Sequence, residues 1–204
     1  MKNHSLKKSP DLTRYAMVVD LQRCTWCHSC FIACKMENKV PLGVWRTWGN
    51  FIEGGKYPNA TKDFLPFLCN NCERPHCVTV CPVKATFKRE DGIVEINPHL
   101  CIGCKMCMLA CPYQMRYLHP HKRIADKCNW CLHRVRVGLQ PACVMGCPTG
   151  ALIFGNLKDK ESRVAKLISS GTVQVLKPDI GTDPHVFYIG SVTDLSEIGG
   201  APYR

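Results

Sequence analysis

The apolar positions of this chain come in short runs. Tyr15 to Val19, YAMVV, is an apolar stretch of strand length. A second β-type run spans Ile93 to Ile96, where Val94 and Ile96 alternate with Glu95. Asp91-Gly92 supplies a turn just before it, so KREDGIVEI reads as a hairpin. Further on, DKESRVAKLISSG places Val164, Leu167 and Ile168 on the inward side of a short amphipathic helix. KPDIGTDPHVFYIG then reads as an extended arm, lying either on a partner subunit or on the chain's own core. One uncharged stretch of 21 residues, Val137 to Leu157, holds four glycines, two prolines and two cysteines. A spanning helix needs about 20 predominantly apolar residues, so no transmembrane segment is expected.

Composition shows what these short runs surround. The 204 residues include 15 glycines, 14 prolines and 16 cysteines. That suits a loop-rich build around something other than a purely apolar core. The cysteines form four groups: Cys24, Cys27, Cys30 and Cys34; Cys69, Cys72, Cys77 and Cys81; Cys101, Cys104, Cys107 and Cys111; and Cys128, Cys131, Cys143 and Cys147. In every group the first gap is two residues and the last is three, and no cysteine is left over. Groups two, three and four continue with Pro82, Pro112 and Pro148, whereas group one continues with Lys35. The repeating unit is a strand, a cysteine loop, a short helix and a return strand, used four times in variant form.

Three chemistries compete for these thiols. A disulfide framework needs an oxidising compartment and usually a much shorter chain. The N-terminal MKNHSLKKSPDLTRYAM is read as having neither an apolar signal segment nor a twin arginine. Zinc wants four ligands around one point, normally from separated C-x2-C pairs. A 4Fe–4S cube needs one thiolate at each of four corners. Three cysteines at x2, x2 wrap such a cube, and the offset fourth points away to another cluster, as in two-cluster ferredoxins. Proline after it turns the chain aside. Complete quartets predict four 4Fe–4S clusters and no 3Fe–4S cluster.

The widened fourth group, CNWC…ACVMGCP, carries a resemblance, as do RYAMVVDLQRC, DGIVEINPHLCIGCKMCMLACPY, ADKCNWCLHRV and GTDPHVFYI. These stretches resemble the iron–sulfur (beta) subunits of the molybdopterin oxidoreductase, or dimethyl sulfoxide reductase, family, most of all its polysulfide and thiosulfate reductase branch. The resemblance implies outer motifs paired with each other and inner motifs likewise. Cys24, Cys27, Cys30 and Cys147 would hold one cluster, and Cys128, Cys131, Cys143 and Cys34 a second. Cys69, Cys72, Cys77 and Cys111 would hold a third, and Cys101, Cys104, Cys107 and Cys81 the fourth. Some relatives hold a 3Fe–4S cluster where tryptophan replaces a third-group cysteine; Cys104 and its neighbours are intact here.

The implied fold is α+β: two interlocked bacterial-ferredoxin-like modules with short strands and helices, loop-rich, plus a C-terminal tail. The outer module is discontinuous (14–34 and 125–157) and the inner one spans 65–118. Residues 35–64 form a connecting loop, read either as a partner contact or as a packed cover over the clusters. Residues 158–204 form the helix and extended tail. The implied job is electron relay between a membrane quinone-reactive subunit and a molybdenum- or tungsten-bis(pterin) catalytic subunit, with no pterin and no catalytic site on this chain. Its expected location is a membrane-associated complex, on the periplasmic side by co-export or on the cytoplasmic side. A free-standing soluble polyferredoxin and a zinc-structured interaction module are the competing readings.

Charge changes the picture less than it first suggests. The formal net charge is +11. Each oxidised cluster with its thiolates adds about −2, so four bring the total to about +3. Nucleic-acid binding is not expected. The densest basic stretch, Arg116, Lys122, Arg123 and Lys127, reads as a solvated face or as a docking surface for an acidic partner. His28, His76, His119, His121 and His133 lie near the motifs but are not needed as ligands, and His28 could hydrogen-bond a cluster sulfur. Trp26 and Trp130, each between the first two cysteines of an outer motif, are expected to shield clusters from water.

Overall fold

A computed structural model describes residues 13–171, 173–190 and 195. In chain order it runs β1 (Tyr15–Asp20), α1 (Ser29–Glu37), β2 (Trp48–Gly54), β3 (Thr61–Phe67), α2 (His76–Thr79), β4 (Thr86–Lys88) and β5 (Val94–Ile96). It continues with α3 (Met106–Leu109), β6 (Arg116–Leu118), β7 (Ala125–Lys127), α4 (Leu132–Val135), α5 (Ala142–Met145), β8 (Leu152–Asn156), α6 (Arg163–Ser169) and β9 (Val186–Ile189).

β1 is the central strand of a three-stranded sheet, with β8 antiparallel on one side and β9 parallel on the other. Its apolar run is continuous because both faces are covered. Met17 and Val19 join the main core with Trp48, Leu65, Phe67, Ile93, Trp130 and Tyr188. Ala16 and Val18 pack on the other face with Ile153 and Val164. Val164 comes from α6, and Leu167 and Ile168 are partly buried beside it, as the amphipathic pattern predicts. The extended arm lies on the chain's own core: Met17 pairs with Val186 and Val19 with Tyr188. Residues 191–194 and 196–204 of the tail lie outside the described residues.

The hairpin expected in KREDGIVEI forms between β4 and β5, with Thr86 opposite Ile96. The Asp91 carboxylate accepts from Ile93 N–H at 3.1 Å, and Gly92 takes the left-handed φ of 87° that the turn requires. A second short hairpin joins β6 to β7. The span 35–64 is not a plain connecting loop. Most of it goes into the β2–β3 hairpin, which stacks Trp48 on Phe67 at 4.5 Å inside the core. Phe64 of the same hairpin stacks on Trp26 at 5.3 Å, so this segment covers the first cysteine loop.

Candidate iron–sulfur sites

All four cysteine loops bend alike. The second residue after the first cysteine is left-handed in each: Trp26 (φ 57°), Asn71 (41°), Gly103 (67°) and Trp130 (53°). Such turns aim successive N–H groups into a concavity that favours an anion. Trp130 N–H, for example, donates to Cys128 Sγ at 3.4 Å.

Groups two, three and four share a second turn, three residues after the last cysteine, at Lys84 (51°), Gln114 (55°) and Gly150 (62°). It brings N–H groups back onto that cysteine. Met115 N–H donates to Cys111 Sγ at 3.4 Å and Ala151 N–H to Cys147 Sγ at 3.3 Å. Burial raises the Cys81 thiol, but hydrogen bonds from the N–H groups of Thr86, Ala85 and Val83 outweigh it and hold the pKa below its ordinary value. Proline beside these cysteines has no N–H and leaves the sulfur to the donors further on. Cys34 differs because it lies inside α1 and Lys35 continues the helix. Its sulfur is approached instead by Asn38 Nδ2 at 3.7 Å and by the Thr47 side chain.

All sixteen cysteines are free thiols. Cys24, Cys27, Cys30 and Cys147 line one cavity together with Trp26, His28 and Phe31. Burial pushes Cys30 up to about 12, helped by Cys24, Cys147 and Cys27. Cys69, Cys72, Cys77 and Cys111 line a second cavity, with Tyr113, Arg116 and Thr182. Cys72 is pushed up to about 12, first by burial and then by Cys69, with Thr182 opposing the shift by its hydrogen bond. Cys34, Cys128, Cys131 and Cys143 are all buried. Burial drives Cys143 well above its ordinary value, and Cys128, Cys34 and Cys131 add to the shift. In the remaining set, Cys107 is buried, Cys81 and Cys101 are half-buried and Cys104 is exposed.

Buried thiols that raise one another's pKa cannot all ionise unless a cation arrives, and metal binding releases the protons. Among the described residues, no three His, Cys, Asp or Glu side chains close around one point as a single metal ion requires. Cys24, Cys27, Cys30 and Cys147 surround one void and Cys69, Cys72, Cys77 and Cys111 another, and a four-iron cube needs such a space between its thiolates. Trp130 Nε1 is buried without any hydrogen-bond acceptor, and it stands between Cys128 and Cys131. A cluster sulfur is a fitting acceptor. The residues therefore fit the cofactor.

Polar groups around the thiols escaped the sequence reading. Asn38 Nδ2 also lies 3.6 Å from Cys131 Sγ. Its amide is aimed by Arg46, which donates from Nη1 to Asn38 Oδ1 at 2.7 Å and pairs with Asp126 at 2.9 Å. The basic stretch is not one solvated face. Lys122 and Arg123 are exposed, but Arg116 is only 6% exposed and Lys127 only 3%. Arg116 Nη2 donates to Cys77 Sγ at 3.0 Å, and Lys127 Nζ to the Cys128 carbonyl at 2.8 Å. Arg116 therefore faces a cysteine sulfur where a surface arginine would face water. His28 lines the Cys24 cavity and His76 the Cys69 cavity. His28 stacks on Phe31, His133 pairs with Glu37 at 2.6 Å, and His28, His76, His121 and His133 are exposed.

Short strands and helices carrying cysteine loops of this form define a ferredoxin-like iron–sulfur protein. The family model for the 4Fe–4S dicluster domain matches residues 60–157. The chain is 48% identical over 183 residues to the B component of tetrathionate reductase from Salmonella typhimurium, covering 87% of this chain and 72% of that one. It is 42% identical over 182 residues to the B component of polysulfide reductase from Wolinella succinogenes, covering 86% and 94%. It is 38% identical over 220 residues to the B component of selenate reductase from Mesobacillus selenatarsenatis, covering 91% and 75%. The protein belongs to the family of iron–sulfur electron-transfer subunits of tetrathionate, polysulfide, dimethyl sulfoxide and selenate reductases.

Proposed function

We propose that this chain relays single electrons through four 4Fe–4S clusters and performs no substrate chemistry. The ligand sets are Cys24, Cys27, Cys30 and Cys147; Cys34, Cys128, Cys131 and Cys143; Cys69, Cys72, Cys77 and Cys111; and Cys81, Cys101, Cys104 and Cys107. One observation carries the reading. Cys147 lines the cavity of Cys24, Cys27 and Cys30, and Cys111 lines that of Cys69, Cys72 and Cys77, so in both the fourth thiol comes from another group. The module division supports it: β1 pairs with β8 and α1 packs on α5 across the outer segments 14–34 and 125–157, while α2 packs on α3 within 65–118.

The clusters, when bound, supply one-electron oxidation and reduction without proton or atom transfer. The chain's own residues place the thiolates, exclude water with Trp130 and Phe154, and donate N–H bonds to sulfur, which sets the potentials. The partners of the relay are a molybdenum- or tungsten-bis(pterin) catalytic subunit and a membrane quinone-reactive subunit. Among the described residues no helix is long and apolar enough to cross a membrane, so the membrane is met through a partner. The complex is membrane-associated, on the periplasmic side.

Elemental analysis of anaerobically purified native complex tests this. About 16 Fe per copy of this chain, with one Mo or W and no zinc, is expected. The same iron without Mo or W would point to a free polyferredoxin, and about four zinc with little iron would overturn electron transfer. Cys147→Ser should disturb the cluster of Cys24 and not that of Cys128; the reverse would overturn the ligand pairing.

A further inference from the structure

Arg116 is a buried cation without a carboxylate. Among the described residues its guanidinium enters no salt bridge, although eleven such pairs occur elsewhere. An unpaired buried charge is expensive, so something must balance it. Its contacts are to sulfur and to one hydroxyl. Nη2 donates to Cys77 Sγ at 3.0 Å. The same side chain reaches Cys107. Nη1 donates to Thr86 Oγ1 at 3.2 Å, and Thr86 hydrogen-bonds Cys81 through its side chain. Since the hydroxyl accepts from Arg116, its own proton is free for the Cys81 sulfur.

These three cysteines do not belong to one ligand set. Cys77 sits with Cys69, Cys72 and Cys111, whereas Cys81 and Cys107 belong with Cys101 and Cys104. We propose that Arg116 is the shared counter-charge of both inner clusters, setting their reduction potentials together, directly at Cys77 and Cys107 and through Thr86 at Cys81. The inference rests on the four-cluster reading above. Arginine suits the role because its fork points donors in several directions and it stays protonated throughout the working range. Lys127 also acts on Cys77 through its charge, but its ammonium is hydrogen-bonded to Asn71 Oδ1 at 3.2 Å and the Cys128 carbonyl at 2.8 Å rather than to a sulfur. A fixed positive charge favours the reduced, more negative state of any cluster it faces. Removing it should therefore lower two of the four midpoints and leave the other two in place.

The test is a redox titration followed by electron paramagnetic resonance, on the iron-loaded chain in its native complex. In Arg116→Gln, two midpoints should fall by at least tenfold in their one-electron equilibrium, about 59 mV. Arg116→Lys, which keeps the charge, should recover the larger part at both. Thr86→Val should lower only one. Full iron with four unmoved midpoints in Arg116→Gln would overturn the inference and reduce Arg116 to packing. Should Arg116→Gln lose iron, Thr86→Val decides: one lowered midpoint upholds the inference and four unmoved ones overturn it. A wild-type complex with fewer than four clusters would instead count against the underlying reading, and would be seen before any variant is made.

Discussion

The side-chain amide of Asn38 lies 3.6 Å from Cys131 Sγ, across 93 residues of sequence. It is not free to turn. Arg46 donates to its oxygen, which leaves the NH2 group facing Cys131 and Cys34. An N–H donor to a ligating sulfur stabilises the electron-rich cluster. Asn38→Leu keeps the bulk and removes the donor. The net loss of one hydrogen bond, about 1 kcal/mol, corresponds to about 40 mV for one electron. One midpoint of the four should drop by that order in a titration of the native complex, with iron content unchanged. An unmoved set of midpoints would mean that the amide serves only Arg46 and the end of α1.

The loop between Cys101 and Cys104 depends on Gly103. Its φ is 67°, and a Cβ there would meet the Arg123 carbonyl oxygen at 2.2 Å. That oxygen is backbone and cannot swing away. Gly138 offers the comparison: its φ is 82°, but a Cβ would meet nothing within 4 Å. Alanine at Gly138 should cost only the left-handed penalty of about 1–2 kcal/mol. Gly103→Ala adds a clash to that penalty and should lose close to four iron atoms per chain. Iron analysis of the two variants, with thermal unfolding, separates them.

The cap of α6 is a smaller, purely structural case. Ser162 Oγ accepts from Ala165 N–H at 3.1 Å and donates to the Asn156 carbonyl at 2.6 Å. It thus ties the helix start to the end of β8. Ser162→Ala should cost about 1 kcal/mol, read as a fall in denaturation midpoint, with every reduction potential unchanged. A shifted potential would show that the tail helix couples to the clusters.

What was legible in the sequence was local. The cysteine groups, the β1 run, the Asp91-Gly92 hairpin and the stripe of Val164, Leu167 and Ile168 each need only a few neighbouring residues to be recognised. The β2–β3 hairpin was not legible, because Thr61–Phe67 reads TKDFLPF, with charges at one end and Pro66 near the other. Its strand character comes from Trp48 on Phe67 and Phe64 on Trp26, which are contacts between distant segments. The arm was readable as extended, but its parallel pairing with β1 is non-local. Arg116 and Lys127 look like any surface cations in RYLHPHKRIADKC. Only the fold shows that three cysteine loops close around them. His185 lies within GTDPHVFYI, but its burial is likewise visible only in the fold.

His185 gives the protein a pH dependence whose sign can be worked out. It is 8% exposed and its pKa is lowered to about 4, first by burial and then by Arg14 and Lys88, with Asp183 opposing. Glu73 lies 3.4 Å from its Nε2, but that carboxylate is already engaged by Arg14 and Lys88. An unfolded histidine titrates near about 6.5. Between those two values the unfolded state takes up a proton that the folded state refuses. Stability therefore falls as pH drops from about 6.5 toward about 4, and this group contributes no slope above that window. At about pH 5 the deficit should reach about 2 kcal/mol, from about 1.36 kcal/mol per unit. Denaturant midpoints of the anaerobic complex at pH 7.5 and 5 measure it against His185→Gln, which cannot titrate. Wild type should lose more stability than the variant between those two pH values. Equal losses would place the acid sensitivity in the clusters and thiols rather than in the strap that carries His185 past Asn70 into β9.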